Sequence, residues 1–416
     1  MGKDDIRKLV KDKLKNKKIV LFGAGPIAEA FYESMFDKLN IVRCVSNVNR
    51  EWGPRRFLGK LDVSRYAKED IMPDEYMIVC GPLAFEQIDV QLISDGFKIF
   101  DDYIDSRLVP AIVNDKKIAL FRGSCILRDI YNVVSCQDKF AAIYDSLFVT
   151  DNYTIHKYQK KIVYYCTLVC DLYVFTHRIL RQDKVHIIDR SELPPDCIYL
   201  SVSNISFGGF WPQTKSELVE FNPYFMTTYN VHRNTEYYHL TYRDSDENIN
   251  RLIDEGKDWE EIYSILSADD FYSEKEINRC LKIGLKSIAI AEQNADITVL
   301  DFIKENYKDM LLFQDNMHMH KNVLWEYIRR FYERLGITDE DFEEKKRLAQ
   351  DYVHHGGAMP IYPCIIKKLG LTWIKPDDKY EIMTFYGTVD MDFKEYVKCY
   401  VEYAKAVNDI REMWKV

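Results

Sequence analysis

Cys125 is the residue whose surroundings most clearly suggest chemistry. It follows a short apolar run, residues 118–121, and Gly123, where the chain can turn sharply. Apolar residues with helical spacing come next, so we predict a strand, a tight turn and a helix that starts at Cys125. Backbone N–H groups and the dipole at a helix start favour an anion, either a thiolate or a phosphate. Arg122 and Arg128 flank the position and add positive charge. The alternative is a small cysteine buried in a tight turn.

A second group of polar residues follows a predicted strand at residues 198–202. Residues 203–213 combine two serines, Asn204, two glycines and three aromatic rings. This composition at a strand end is typical of a binding loop at the carboxyl edge of a parallel sheet. Asn204 could donate a hydrogen bond to a developing oxyanion there. The alternative is a tight loop held by its own aromatic side chains.

Two histidines, His318 and His320, lie in a polar stretch between a predicted strand and a predicted helix. A histidine at such a place can act as the general base for a thiol or hydroxyl nucleophile. The pair could instead bind a metal ion, but the spacing indicates no third ligand, and Cys166 and Cys170 complete no zinc pattern. We therefore predict no metal site. The alternative for a loop histidine is an ordinary solvated side chain.

The elements that must position these groups alternate between strands and helices. A predicted strand at residues 18–22 leads into Gly23 and Gly25, a G-x-G-x-x-A pattern that opens a helix. The next strand ends at Asn47, where a dinucleotide domain usually has an acidic residue for the ribose. NAD is therefore less favoured than a mononucleotide or a nucleotide-sugar, and the alternative is a glycine turn that binds nothing. Further elements of this part are a basic helix at residues 1–16, strands at 41–45, 77–80 and 96–100, and a helix at 85–94.

We predict a domain boundary near residue 112. Residues 1–112 are expected to form a Rossmann-like parallel sheet that binds a nucleotide or nucleotide-sugar, and residues 113–416 a larger α/β domain with a helical insertion at 244–306. The strands predicted for the larger part lie at residues 118–121, 172–176, 185–188, 198–202 and 311–313. Asn322 is predicted to cap a helix at residues 323–335 that Gly336 closes, and a last helix is predicted at residues 392–414.

The composition of the 416 residues is that of an ordinary globular protein, with 47% hydrophobic and 30% charged residues. The net charge of −9 argues against a broad nucleic-acid surface. No apolar run is long enough to span a bilayer, so we predict no transmembrane segment. The ten cysteines form no compact spaced framework, which favours reduced thiols in a cytoplasmic protein.

Five motifs occur in an order that resembles the WcbI family of capsular and surface polysaccharide biosynthesis proteins. The resemblance covers roughly residues 116–410. The family's opening motif is usually Gly-Asn-Cys-Gln, and its histidine is usually followed by proline; here Ile126 follows Cys125 and Met319 follows His318. The motifs that carry the resemblance are Gly123-Ser124-Cys125, residues 171–177 ending at His177, residues 204–212 starting at Asn204, His318, and residues 359–363.

The resemblance implies an SGNH-hydrolase-like α/β fold, coenzyme A binding and the transfer of an acetyl group to a sugar or polysaccharide precursor. His318 or His320 would then be the base, Asn204 would stabilise the oxyanion, and Cys125 would be a nucleophile or a ligand contact. The residues expected at coenzyme A or acetyl-CoA are Arg122, Gly123, Ser124, Arg128 and His177.

Residues 17–105 resemble the small Rossmann-like domain of some sugar acetyltransferases, which implies a nucleotide-sugar at Gly23 and Gly25. Two other functions remain open at this stage. The same groups with water as acceptor would give a carbohydrate esterase or deacetylase. Ser124 and Ile126, which stand where the family motif has Asn and Gln, are compatible with a non-catalytic binding protein of polysaccharide assembly. The sequence is also compatible with an oligomer.

Overall fold

The chain forms two compact units, Met1–Val202 and Ser203–Val416, in the computed structural model. The boundary predicted near residue 112 falls inside the first unit, between its two sheets, and as a division of function it stays a prediction. The residues that the structure describes are 1–47, 56–57, 61–81, 84–150, 159–177, 188–214, 246–348, 358–384 and 387–413.

The first unit begins with a six-stranded sheet of order β3-β4-β2-β1-β5-β6. All neighbours in it are parallel except β3 and β4, which pair antiparallel. The strands are β1 (Lys18–Phe22), β2 (Ile41–Ser46), β3 (Arg56–Phe57), β4 (Leu61–Arg65), β5 (Glu75–Val79) and β6 (Tyr103–Asp105). The helices of this part are α1 (Lys3–Asn16), α2 (Pro26–Met35), α3 (Phe85–Ser94) and α4 (Val109–Val113), with a 3₁₀ turn at Lys68–Asp70.

A four-stranded sheet of order β10-β9-β7-β8 follows, in which β7 pairs parallel with both β8 and β9. Its strands are β7 (Lys117–Gly123), β8 (Tyr144–Thr150), β9 (Leu172–His177) and β10 (Ile198–Ser203). Its helices are α5 (Cys125–Val134), α6 (Asp138–Ile143) and α7 (Lys160–Thr167), with a 3₁₀ turn at Arg190–Glu192. The predicted α/β class with parallel sheets is confirmed.

One hydrophobic core extends through both sheets of the first unit. Helix α1 contributes Ile6, Val10 and Leu14 to it, which lie one turn apart on one face. The first turns of the same helix are held by charge, because the side chain of Asp171 at the start of β9 accepts Lys3 Nζ at 2.7 Å and an Arg7 guanidinium nitrogen at 2.8 Å. The basic helix predicted at the N-terminus is therefore built into the fold.

The second unit is mainly helical. Its first described helices are α8 (Glu247–Asp254), α9 (Trp259–Leu266), α10 (Glu274–Ala291) and α11 (Leu300–Asn306), which confirms the helical character predicted for residues 244–306. The remaining helices are α12 (Lys321–Leu335), α13 (Phe342–Leu348), α14 (Pro363–Leu369) and α15 (Phe393–Met413). A hairpin of β11 (Tyr380–Thr384) and β12 (Gly387–Met391) accompanies them.

Three of the predicted strands need correction or fall outside the description. The strand expected at residues 96–100 is wrong: Gly96 and Phe100 have φ values of 92° and 68°, so the chain turns twice there, and the strand lies at β6 instead. Residues 311–313 form only an isolated bridge between Phe313 and Met319. The strand expected at residues 185–188 lies almost wholly outside the described residues.

No helix in the described ranges has the length and apolar character needed to cross a bilayer. Within the same ranges, none of the ten cysteines forms a disulfide. The cytoplasmic location expected from the sequence stays a prediction.

Candidate functional site

The turn between β7 and α5 is built around a close contact between Gly123 and Thr176. A Cβ atom on Gly123 would overlap the Thr176 hydroxyl and lie 2.8 Å from Thr176 Cβ, so only glycine fits. The same hydroxyl oxygen accepts the Ser124 N–H at 3.0 Å. Thr176 thus fixes the backbone of the turn from the neighbouring strand β9, and Ser124 becomes the residue that precedes the first turn of α5.

Cys125 is the first residue of α5 and is half-buried, as is Arg128 three residues later. Residues three apart lie on the same helix face, so the thiol and the guanidinium stem share one side of the first turn. The first N–H groups of any helix have no acceptor within the helix, and the dipole adds partial positive charge. The predicted strand, turn and helix are confirmed, and the local chemistry suits a thiolate or a phosphate.

Arg122 lies on β7 and His177 on β9, the two strands that shape this turn, but the surroundings of the two residues differ. Arg122 is only 5% exposed and hydrogen-bonds the hydroxyl of Tyr173. Burial raises the pKa of Tyr173, and the nearby guanidinium opposes that rise. Arg122 therefore has a contact inside the unit, and its role in cofactor binding stays a prediction. His177 is half-buried at the end of β9, directly after Thr176.

The glycines of the first sheet have separate roles. Gly23 has a φ of 131°, and a Cβ there would lie 2.8 Å from the Cys80 carbonyl oxygen at the end of β5. Gly25 has an ordinary φ of −105°, and a Cβ on it would meet nothing within 4 Å. Neither the backbone nor the packing requires glycine at Gly25, which leaves room at the start of α2. Asn47, beyond β2, exchanges amide hydrogen bonds with Gln91 at 2.6 and 3.4 Å.

In the second unit, Asp315 and His318 form a tight pair. His318 Nδ1 lies 2.7 Å from Asp315 Oδ2 and 2.9 Å from Oδ1. Asp315 Oδ1 also accepts the backbone N–H groups of Met317 and His318, each at 2.7 Å. The carboxylate is 5% exposed and the imidazole 12% exposed. Because the carboxylate occupies Nδ1, acid–base chemistry at this ring falls to Nε2.

A small hairpin holds this pair in place. Gln314 N–H donates to the His318 carbonyl at 2.9 Å, and His320 N–H donates to the Leu312 carbonyl at 2.8 Å. Asp315 was not among the residues predicted for the site, although its position three residues before His318 could have revealed it. An aspartate whose side chain accepts N–H groups two and three residues later is a common turn element, and here it also reaches the histidine ring.

His320 has a structural role. It is the N-cap of α12, and its Nδ1 accepts the Asn322 N–H at 3.4 Å. Its side chain is buried. The cap predicted at Asn322 is wrong, because that side chain instead donates to the Leu311 carbonyl at 2.9 Å. The predicted helix end at Gly336 is confirmed, with a φ of 66°. Of the two candidate bases, the geometry favours His318.

The loop after β10 buries its aromatic side chains. Phe207 stacks on Phe313 with ring centroids 4.8 Å apart, and its N–H donates to the Asn316 carbonyl at 2.8 Å. A Cβ on Gly284 of α10 would lie 3.0 Å from the Phe207 ring, so a helix backbone packs directly on this ring. The tight aromatic loop, one of two interpretations of the sequence, therefore describes these rings. Asn204, the predicted oxyanion donor of this loop, is exposed, as is Ser206.

The segment at residues 359–363 joins the loop and the hairpin. Met359 N–H donates to the Gln314 carbonyl at 2.7 Å, and the Met359 carbonyl accepts Trp211 Nε1 at 3.0 Å. Hydrogen bonds to the backbone of Met359 therefore connect the Asn204 loop to the hairpin that carries His318.

Comparison with known proteins gives the same family as the sequence motifs. Residues 186–340 match the model of WcbI, described as the polysaccharide biosynthesis enzyme WcbI. This stretch of the chain is WcbI-like. The match contains Asn204, Asp315 and His318 but does not reach Cys125, so the WcbI resemblance of the cysteine turn stays a prediction. No curated protein sequence is significantly similar to the chain.

A solved structure of WcbI is also similar to the chain. That protein is described as a novel polysaccharide biosynthesis enzyme, solved in its native form without a disulfide bond between coenzyme A and one of its cysteines. It is 17% identical, and the alignment covers 70% of this chain and 90% of that one with a TM-score of 0.48. A likeness at this level carries no functional argument. In the described part of the chain, no three His, Cys, Asp or Glu side chains are grouped so that they could hold a metal ion.

Proposed function

We propose that this WcbI-like chain is a coenzyme A-dependent acyltransferase, with acetyl as the expected group, that acts in the biosynthesis of a capsular or surface polysaccharide. The acceptor would be a hydroxyl group of a sugar or polysaccharide precursor. The Asp315–His318 pair is the observation that carries the proposal, because a buried carboxylate that holds one imidazole nitrogen prepares the other nitrogen for general-base catalysis. The match to the polysaccharide biosynthesis family over the same residues supports the substrate class.

His318 would remove the proton of the acceptor hydroxyl at Nε2 and later return it to the leaving sulfur. Asp315 would hold the ring in the required tautomer and stabilise the imidazolium between these two steps. The exposed amide of Asn204 would donate a hydrogen bond to the oxyanion. Bound acyl-coenzyme A would supply the thioester. The bond formed is the sugar ester and the bond broken is the thioester, so protons and charge balance without a further reactant.

The start of α5 is the part of the first unit that fits a phosphorylated cofactor. Arg128 and the first-turn N–H groups suit a phosphate, and Cys125 is half-buried on the same face. Ser124 and Gly123 shape this turn through Thr176. Cys125 would contact the cofactor, and His177 at the end of β9 remains a candidate contact. For the first sheet we propose a nucleotide-sugar, since the space beside Gly25 would let a phosphate approach the start of α2.

Calorimetric titration with coenzyme A and acetyl-coenzyme A tests the cofactor. The expected result is micromolar binding that the charge reversal Arg128→Glu weakens at least about tenfold, since it places a carboxylate beside the phosphates. Lys8→Glu makes the same change on an exposed residue of α1 and should bind like the unmodified protein. Absence of binding at millimolar ligand would rule out the transferase.

Product analysis separates transfer from hydrolysis. Acyl transfer to a glycan acceptor that stops when His318 is replaced by alanine supports the proposal. Release of acetate from an acetylated glycan without coenzyme A would instead assign the Asp315–His318 pair to a deacetylase, with water as the acceptor.

A further inference from the structure

Ser203, the last residue of β10, anchors the strand end that presents Asn204. Ser203 is fully buried and Ile205 is 3% exposed, whereas Asn204 between them is exposed. Ser203 Oγ lies 2.7 Å from the hydroxyl oxygen of Tyr327. Ser203 also donates from its backbone N–H and its hydroxyl to the Ile297 carbonyl, each at 3.4 Å. The orientation of Asn204 therefore depends on how firmly Ser203 is fixed.

Tyr327 is suited to fix it. The residue is fully buried on α12, and its hydroxyl lies 3.4 Å from the Ser203 carbonyl oxygen as well as 2.7 Å from the Ser203 hydroxyl. Tyr327 donates to the Ser203 carbonyl, and either hydroxyl can donate in the contact between Tyr327 and Ser203 Oγ. Burial raises the pKa of Tyr327, so the phenol stays protonated and remains a donor across the physiological range.

The helix that carries Tyr327 is also the helix that follows the histidine hairpin. It starts after His320, and Tyr327 lies two helical turns later on nearly the same face, about 10 Å along the axis. The same helix holds the segment next to Ile297, because Arg330 donates to the Thr298 carbonyl at 2.8 Å and Arg334 to the Asp296 carbonyl at 3.0 Å. One helix therefore fixes the hairpin of His318 at its start and the support of Asn204 further along.

We infer that Tyr327 is a positioning residue that sets Asn204 relative to His318 through its hydrogen bond to Ser203. The inference rests on the proposed function for its catalytic consequence, but the structural link can be measured without turnover. A hydrogen-bond donor for an oxyanion acts in the transition state more than in substrate binding, so a misplaced Asn204 lowers kcat and leaves KM nearly unchanged.

The test replaces Tyr327 by phenylalanine, which removes only the hydroxyl. The expected result is a roughly tenfold lower kcat with KM changed less than about twofold. Hydrogen–deuterium exchange in residues 203–209 should become at least about threefold faster. The matched control is Tyr332→Phe on the same helix. The Tyr332 ring is also buried, and its hydroxyl makes no hydrogen bond to any described residue, so kcat and exchange should equal those of the unmodified protein.

Ser203→Ala removes the hydrogen bond between Ser203 Oγ and the Tyr327 hydroxyl from the serine side. This second variant keeps the test valid if Tyr327→Phe fails to fold. Faster exchange confined to residues 203–209 in both variants supports the inference. Unchanged exchange there in Ser203→Ala, or unchanged kcat in Tyr327→Phe, would overturn it. If the unmodified protein turns over no substrate, the proposed function fails, and the exchange experiment still decides whether Tyr327 holds the Asn204 loop.

Discussion

Asp315 binds both the ring and the backbone of His318. Its Oδ2 lies 2.7 Å from Nδ1, and its Oδ1 accepts the His318 backbone N–H at 2.7 Å. A single carboxylate thereby fixes the ring orientation, the tautomer and the turn that carries the residue. Such double attachment leaves the imidazole few rotamers, which is the preorganisation that a general base needs.

Asp315→Asn should lower the acyl-transfer rate by roughly 10²–10⁴, with little change in overall stability. The amide keeps the shape and still accepts the N–H groups of the turn, but it no longer stabilises the imidazolium. Steady-state kinetics with acyl-coenzyme A and a glycan acceptor measure the effect.

His318→Ala should lose a similar factor, and the two residues should act as a unit. The double variant Asp315→Asn with His318→Ala is therefore expected to be no slower than His318→Ala alone. An additive further loss would show that Asp315 acts through some other group.

His320→Ala should reduce stability by about 1 kcal/mol and leave kcat within about twofold, because His320 is an N-cap. His320→Asn supplies a strong capping side chain and should restore the stability. Urea unfolding and the same kinetic assay measure both effects. A large loss of kcat in His320→Asn would return His320 to the list of candidate bases.

The candidate site was predictable where it depends on local pattern. The β7–Gly123–α5 unit follows from an apolar run, a glycine and helical spacing, and all three occur as predicted. The roles of His318 and His320 were not predictable, because a cap depends on backbone dihedral angles that neighbouring contacts decide. Asn322 has the residue type of a cap, but His320 has the extended backbone of one, with a φ of −78° and a ψ of 161°.

Gly123→Ala should destabilise the first unit by about 1–3 kcal/mol, because the new methyl group overlaps Thr176. The double variant with Thr176→Ala should recover part of the loss. Gly25→Ala should change stability by less than about 0.5 kcal/mol, since a Cβ there meets nothing within 4 Å.

Gly25→Ala should still weaken nucleotide-sugar binding by roughly tenfold if the ligand phosphates approach this position, since the methyl group would occupy their space. Thermal unfolding and calorimetry measure the two effects. Unchanged binding in Gly25→Ala would place the ligand elsewhere or remove it from the proposal.

The fold was predictable in class and less so at its edges. The alternation of apolar strands and helices in the sequence predicted the parallel sheets. Buried central strands such as β1 and β7 are easy to recognise because they are nearly continuous apolar runs. The edge strand β8 was not predicted, because half-exposed residues interrupt its apolar pattern. The fourth strand was misplaced because Phe100, a bulky residue with a φ of 68°, adopts a conformation that its type disfavours.

Asp246 makes the stability of the second unit depend on pH. It is fully buried, caps α8 through the Asn248 and Ile249 N–H groups at 3.0 Å, and accepts the Tyr362 hydroxyl at 2.8 Å. Burial raises the pKa of its carboxyl from 3.8 to about 6, against the lowering effect of these hydrogen bonds. Between these two values the folded state binds the proton and the unfolded state does not. The contribution of Asp246 to the free energy of unfolding is therefore full below about pH 4 and is lost as pH rises through about 6.

Asp246→Asn should remove this dependence, because asparagine also caps helices well and carries no charge. Relative to the unmodified protein, the variant should gain about 2–3 kcal/mol between pH 4 and pH 7. Asp258→Asn makes the same change at the exposed N-cap of α9 and serves as the matched control. Urea unfolding at each pH gives the free energies. If the difference between Asp246→Asn and the unmodified protein stays constant from pH 4 to pH 7, Asp246 keeps the same charge in the folded and unfolded states, and the pH dependence must come from another group.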